Sequence, residues 1–317
     1  MRSALIIGAA GQDGRLLARL LLDRGYSVRG WIRREPAVTP LCECTQTDIM
    51  RLASVEKEFS SLLPDEIYYL AAFHHATEDT VEESVAEVLR CSFKVHVLGL
   101  LNVLQAMEAC CPRSRLFYAA SSHVFGRPVA ESQNEKTPLW PNSAYGISKA
   151  AGIRCCQLWR RQKNTFAATG ILFNHESSLR RPSFLSQKIV RGALQSQHDP
   201  TYKLVLGDLD ARVDWGYAPD FVEAIFRIVQ LPEASDFVVA SGETHTVREF
   251  AEIAFGKLGL DWQRHVEIDV RLLQRRSYPL RGDSRKLRTA TGWAPSVKFA
   301  EMVAKLVHET ERTYAPI

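Results

Sequence analysis

A doubly wound parallel α/β sheet with a smaller mixed α/β lobe toward the C-terminus is the fold class this sequence predicts. Three observations lead to it. Short apolar runs alternate with amphipathic helical patterns up to about residue 175, as in a parallel sheet. The first run, Ala4–Ala9, passes directly through Gly8-Ala-Ala-Gly11-Gln12-Asp13-Gly14 into a helical stretch, Arg15–Arg24. After Asn174 the texture changes to short strand-like pieces and helices, too scattered for a separate fold.

The glycine turn makes the sheet Rossmann-type. Glycines let the backbone approach a pyrophosphate, and the following helix N-terminus offers free N–H groups and a partial positive charge. The spacing is G-x-x-G-x-x-G rather than G-x-G-x-x-G, so the strand before it and the helix after it carry the dinucleotide reading. Gly8, Gly11, Gln12, Asp13 and Gly14 are the first candidate cofactor residues. Ser27–Ile32 is the second predicted strand. It ends in Arg33-Arg34, where an NAD enzyme carries an acid for the ribose 2′-hydroxyl. Arginine suits a 2′-phosphate, so NADP is expected, with NAD the alternative. Asp48-Ile49 follow a third short segment and can cap the adenine pocket. Glu66–Ala72 is a further strand whose end, Leu70-Ala71-Ala72, is assigned to the cofactor. His74 and His75 are adjacent and point apart on any regular element, so no metal site is expected there.

Ser84–Cys110 reads as one long helix, with apolar positions at Val88, Leu89, Val95, Leu98, Leu101 and Leu104. Leu116–Ala120 is a strand ending at Ser121-Ser122-His123, where doubly wound sheets bind ligands. Ser143 caps a helix carrying Tyr145 and Lys149, four apart and therefore on one face. A phenol titrates near ~10, and a neighbouring ammonium would lower that value. The pair is an acid/base for moving a proton on or off an alcohol. Phe166–Phe173 delivers Asn174-His175-Glu176-Ser177. Beyond lie predicted helices at Phe184–Gln195, Pro219–Val229, Thr246–Leu258 and Lys298–Thr310, with strands at Lys203–Gly207, Val213–Tyr217 and Phe237–Ala240. Residues 1–175 are expected to form the cofactor domain, with 208–235 and part of 236–245 returning to it, and 176–317 mainly a substrate lobe.

Composition narrows the function classes. The 317 residues are 46% hydrophobic and 24% charged, ordinary for a globular protein, and the net charge of +4 does not argue for nucleic acid. No stretch approaches the ~20 apolar residues needed to span a bilayer. Met1-Arg-Ser-Ala enters a strand without a signal-like cleavage site, so a cytoplasmic location is expected. Seven cysteines, Cys42, Cys44, Cys91, Cys110, Cys111, Cys155 and Cys156, match neither a zinc spacing nor a disulfide framework.

Longer runs carry a family resemblance. ALIIGAAGQDG (4–14), SAYGISK (143–149), ILFNHES (171–177), LGDLDARVDWGYAPDFVEA (206–224) and VVASGETHTVREFAE (238–252) make the chain similar to the extended short-chain dehydrogenase/reductases that modify nucleotide sugars, above all the GDP-mannose 4,6-dehydratases. The resemblance implies a GDP-linked hexose as substrate, a recycled NADP, and a homodimer or homotetramer. It implies that Tyr145, helped by Lys149 and Ser121, takes the C4 hydroxyl proton as hydride leaves C4. Water is then lost across C5 and C6, and the hydride returns to C6. It places Ser122, Asn174, Glu176, Arg180, Lys188, Leu206, Gly207, Arg212, Arg275 and Arg276 around the substrate.

The departures set the alternatives. The dehydratases carry Thr-Ser-Glu where this chain has Ser121-Ser122-His123. An imidazole with a pKa near ~6.5 is a competent base or acid. Either His123 takes the glutamate's role, or elimination is absent and the chain is a GDP-4-keto-6-deoxy-sugar reductase, C4 oxidoreductase or epimerase. His96 replaces an asparagine, and Val213 an arginine, with Arg212 beside it. A third alternative is an inactive protein that binds NADP or a nucleotide sugar, against which Ser121, Tyr145 and Lys149 stand intact.

Overall fold

The computed structural model describes residues 1–35, 39–73, 84–269, 271 and 279–314. The chain opens with β1 (Ser3–Ile7), α1 (Gln12–Asp23), β2 (Ser27–Ile32), β3 (Glu43–Gln46), α2 (Leu52–Leu62) and β4 (Glu66–Tyr69). Next come α3 (Val85–Phe93), a π-helical turn (Lys94–Leu98), α4 (Gly99–Cys110), β5 (Arg115–Ser121) and α5 (Ala144–Lys163). They are followed by β6 (Ala167–Leu172), β7 (Asn174–Glu176), α6 (Leu185–His198), β8 (Leu204–Leu206), β9 (Arg212–Val213), β10 (Trp215–Tyr217) and α7 (Ala218–Gln230). The last elements are β11 (Asp236–Val239), β12 (His245–Thr246), α8 (Val247–Gly256), β13 (Val266–Ile268), α9 (Arg285–Thr291) and α10 (Phe299–Glu311).

Among the described residues, seven strands form one sheet in the order β11-β6-β5-β4-β1-β2-β3, all paired in parallel. The expected doubly wound sheet is therefore present. Winding reverses between β1 and β4, which opens a crevice at their carboxyl ends. Helices cover both faces, so the strands read as nearly continuous apolar runs: Leu5, Ile6, Ile67, Leu116 and Phe117 are all fully buried.

Several predicted boundaries are corrected, each for a local reason. The first strand ends at Ile7, because Gly8 has φ 97° and leaves the extended region. Helix α1 begins at Gln12, which puts Gln12 and Asp13 in its first turn rather than in a loop. The strand predicted over Glu66–Ala72 ends at Tyr69. The predicted single strand over 213–217 is two, with Arg212–Val213 pairing β12 and Trp215–Tyr217 pairing β7. The expected long helix over 84–110 is interrupted by the π-turn. There the Val95 and His96 carbonyls accept the hydroxyls of Tyr69 (2.5 Å) and Tyr118 (3.2 Å), side chains from β4 and β5 that divert two carbonyls from the regular ladder.

Two apolar clusters hold the fold. The larger surrounds the sheet, with Trp31, Phe59, Tyr68, Tyr69, Phe117 and Tyr118 buried, and it includes residues of α7 and β11. The smaller joins α6, α8, α10 and β8 around Trp215, Phe250, Phe255 and Phe299. Each large apolar side chain so buried contributes about 1.5–3 kcal/mol. Asp214, between β9 and β10, fastens the loops together. It is 1% exposed and accepts from Ser241 N (3.0 Å), Ser241 Oγ (2.6 Å), Gly242 N (3.1 Å) and Gly282 N (3.0 Å).

Candidate active site

The turn after β1 is shaped by close approach. At Gly8 a Cβ would sit 2.8 Å from the Ala71 nitrogen, and at Gly14 it would run into the Gly8 carbonyl. The N-cap of α1 is Gly11, which has no side-chain cap, so the helix presents its first amides toward the crevice. Ala71 and Ala72 continue from β4 beside this turn, and Leu70 N is held by Ile7 O at 2.9 Å. Arg33 and Arg34 are exposed at the carboxyl end of β2. Ile49 is packed under Gly99, and Asn102 Nδ2 holds its carbonyl at 2.9 Å. Asp48 is exposed and accepts from Met50 N at 3.0 Å. The glycine cradle and uncapped helix end fit a dinucleotide.

Tyr145 and Lys149 lie on the first turns of α5, which starts because Ser143 Oγ accepts Gly146 N at 3.1 Å. Ser121, the last residue of β5, hydrogen-bonds the Tyr145 phenol and also accepts His123 N at 3.3 Å. His123 stands edge-on to Tyr145, with ring centroids 5.7 Å apart. His123 is exposed to the crevice, and the surrounding protein lowers its pKa from the usual 6.5 by partial desolvation. His123 is neutral at pH 7 and can take a proton.

Lys149 behaves differently from the sequence expectation. It is 1% exposed, and Nζ donates to the Ala119 carbonyl at 2.7 Å, 5.6 Å from the centre of the Tyr145 ring. Burial pulls its pKa down to about 7, and burial pushes Tyr145 up to about 12. Against that burial, the Arg180 guanidinium favours the charged form of Tyr145. In the protein alone the phenol is protonated.

His96, in the π-turn, is fully buried and ties three elements together. Its Nε2 accepts Phe73 N at 3.0 Å, so the proton is on Nδ1, which donates to Ser148 Oγ at 2.7 Å. Ser148 Oγ in turn donates to the Tyr145 carbonyl at 2.9 Å. The His96 ring also meets Tyr145 edge-on, 5.2 Å between centroids. Sequence reading noted His96 only as a departure and missed Ser148. The signal available for the latter was its position three residues after Tyr145 on the same helix.

On the opposite wall, β7 carries Asn174, half-exposed, and Glu176, buried. Glu176 accepts from Arg180 Nε (3.1 Å), Arg180 Nη2 (3.4 Å) and Ser186 Oγ (2.5 Å), so its carboxylate fixes the guanidinium. Gln12 and Asp13 also face inward. Gln12 Nε2 donates to Asp13 Oδ1 (3.0 Å) and the His175 carbonyl (3.2 Å), while its Oε1 accepts Ser177 Oγ (2.8 Å). Ser122 is buried behind Ser121, and Leu206 is packed in the smaller core. Lys188 is half-buried on α6. Gly207 follows β8, and exposed Arg212 reaches Thr244 at 3.4 Å. Arg275, Arg276, His74 and His75 lie outside the described residues. Among the described residues, no group of three His, Cys, Asp or Glu could hold a metal ion, and no helix is long and apolar enough to cross a membrane.

A family model described as GDP-mannose 4,6 dehydratase matches residues 5–306. The chain belongs to the GDP-mannose 4,6 dehydratase family. GDP-mannose 4,6 dehydratase 1 of Arabidopsis thaliana is 35% identical over 325 residues, covering 96% of this chain and 89% of its own. The Homo sapiens GDP-mannose 4,6 dehydratase is 34% identical over 341 residues, covering 96% and 90%. Solved structures share the fold. The dTDP-glucose 4,6-dehydratase of Streptomyces venezuelae, with NAD and TYD bound, superposes with a TM-score of 0.84 at 22% identity, covering 98% of this chain and 97% of that one. RMD from Pseudomonas aeruginosa, complexed with NADPH, gives 0.80 at 22%, covering 99% and 100%. Within this family frame, His123 occupies the strand-end position that the sequence resemblance gives to a glutamate.

Proposed function

We propose that the protein is a GDP-mannose 4,6-dehydratase or acts in the same way on a closely related GDP-sugar, with His123 as the base for elimination. The observation that carries the reading is one pocket wall: Ser121, His123 and Tyr145 in mutual contact beside the glycine cradle. NADP is the expected dinucleotide, held by the Gly8–Gly14 turn, Ala71 and Ala72, with Arg33 and Arg34 for a 2′-phosphate. When bound, it supplies a reversible hydride acceptor for an alcohol carbon.

The chain's own residues do the proton work. Tyr145 acts as a phenolate, which takes the proton of the sugar C4 hydroxyl and becomes a neutral phenol; Ser121, hydrogen-bonded to the phenol oxygen, steadies the phenolate's negative charge before that transfer. Arg180 lowers the cost of that charge from the other wall. Once C4 is a ketone, the C5 proton is acidified. Neutral His123 removes it, and the resulting imidazolium returns a proton to the departing C6 hydroxyl. One group thus serves as base and then acid, as a glutamate would. In this reading Asn174 and Arg180 orient the sugar diphosphate, and Lys188 and Arg212 meet its outer charge.

The test is incubation with GDP-mannose and NADP+. The reading predicts a GDP-4-keto-6-deoxy product without net reduction of the dinucleotide. A C4-oxidised sugar still carrying its C6 hydroxyl, with reduced dinucleotide accumulating, would instead support a plain C4 oxidoreductase.

A further inference from the structure

We propose that His175 is a fixed imidazolium that cancels the charge of Asp13, so that the first turn of α1 can hold the anionic pyrophosphate of a dinucleotide. This rests on the dinucleotide-binding reading above and adds a residue to it. Asp13 is the second residue of α1. A carboxylate there favours the helix itself, but it repels any anion drawn to the same amides. An anion-binding helix with an uncompensated Asp in its first turn works against its own ligand.

The geometry fixes the protonation state of His175. Its Nδ1 lies 2.7 Å from the Phe173 carbonyl, which can only accept. Its Nε2 lies 3.0 and 3.1 Å from the two carboxylate oxygens of Asp13, which also only accept. Both ring nitrogens must therefore carry protons, and the ring is positively charged. It is 7% exposed and stacks on Phe221 of α7, with centroids 4.6 Å apart at 15°. The charged groups around it are Asp13 from α1 and Arg180 from the loop after β7. Burial would favour the neutral ring, but Asp13 outweighs it and raises the His175 pKa. Burial would also raise Asp13, but the facing His175 holds it down at about 2.

Neighbouring contacts keep the pair from being a loose surface ion pair. Gln12 bonds both Asp13 and the His175 backbone, and Ser177 bonds Gln12, so α1 and β7 are stitched at three adjacent points. His175 is a positioning residue. It acts on a ligand through Asp13.

Calorimetric titration with NADP+ separates charge cancellation from structure. His175→Gln should weaken binding about 10- to 100-fold, because Asp13 is then uncompensated. Adding Asp13→Asn to His175→Gln should restore most of the loss, which a merely structural role would not do. Nitrogen-15 NMR of the native protein at pH 7 should show His175 with both nitrogens protonated. That measurement stands even if a variant fails to fold. A singly protonated His175 would overturn the inference. So would native-like affinity in His175→Gln, or a double variant no better than the single one, in each case leaving the dinucleotide reading intact. A native protein that does not bind NADP+ or NAD+ would overturn both.

Discussion

Tyr145 and Lys149 are the residues whose placement was most legible in the sequence, and burial changes the electrostatics expected of the pair. Four-residue spacing and the Ser143 cap placed them on one helix face, as observed. Their electrostatics was not legible, because it depends on burial. Lys149 is enclosed, and its ammonium is turned to Ala119. Its folded pKa of about 7 lies below the ~10.4 of an unfolded lysine. The unfolded chain therefore binds more protons between those values. Lys149 costs stability below pH 7, and the cost is relieved as pH rises toward 10. Chemical denaturation across pH 7–10 should show this upward contribution in the native protein and its loss in Lys149→Met. For His123, replacement by Ala should reduce formation of the 4-keto-6-deoxy product by about 100-fold or more, while Tyr145→Phe should also stop C4 oxidation. Product analysis by NMR distinguishes the two. Because desolvation lowers the His123 pKa, a rate that depends on neutral His123 should lose activity in acid at a lower pH than free imidazole would dictate, as a pH–rate profile would show.

At the level of elements, the apolar strands and the glycine turn could be read because each is a local pattern. Gly8 and Gly14 are spaced by the turn itself. Gly14→Ala should abolish dinucleotide binding in a melting-temperature shift assay, since the added methyl meets the Gly8 carbonyl. The break in the helix over 84–110 could not be read. Its cause is two tyrosine hydroxyls from β4 and β5, distant in sequence, that take the Val95 and His96 carbonyls. Its effect is to bring His96 between Phe73 and Ser148, linking the segment after β4 to α5. Glu176 shows the same limit. Its carboxylate pairs with Arg180 and Ser186, and that pairing exists only once β7 and α6 have packed.

For the molecule as a whole, the sheet and the smaller core are joined by polar clamps rather than by apolar burial alone. Asp214 is one of these, at 1% exposed. Asp214→Ala would leave the Ser241, Gly242 and Gly282 amides without their acceptor. It should lower unfolding free energy by about 3 kcal/mol or more, measured by denaturant titration. The proposed site likewise draws on several elements: β5 and the turn after it supply Ser121 and His123, α5 supplies Tyr145, and β7 supplies the opposing wall. The central claim is that these walls perform an oxidation, an elimination and a reduction within one turnover. Its most direct test is to supply GDP-mannose deuterated at C4, with unlabelled NADP+, and locate the label in the product. The account predicts deuterium at C6 of a 4-keto-6-deoxy sugar, with no reduced dinucleotide accumulating. Deuterium retained in released NADPH, beside a sugar that keeps its C6 hydroxyl, would contradict it.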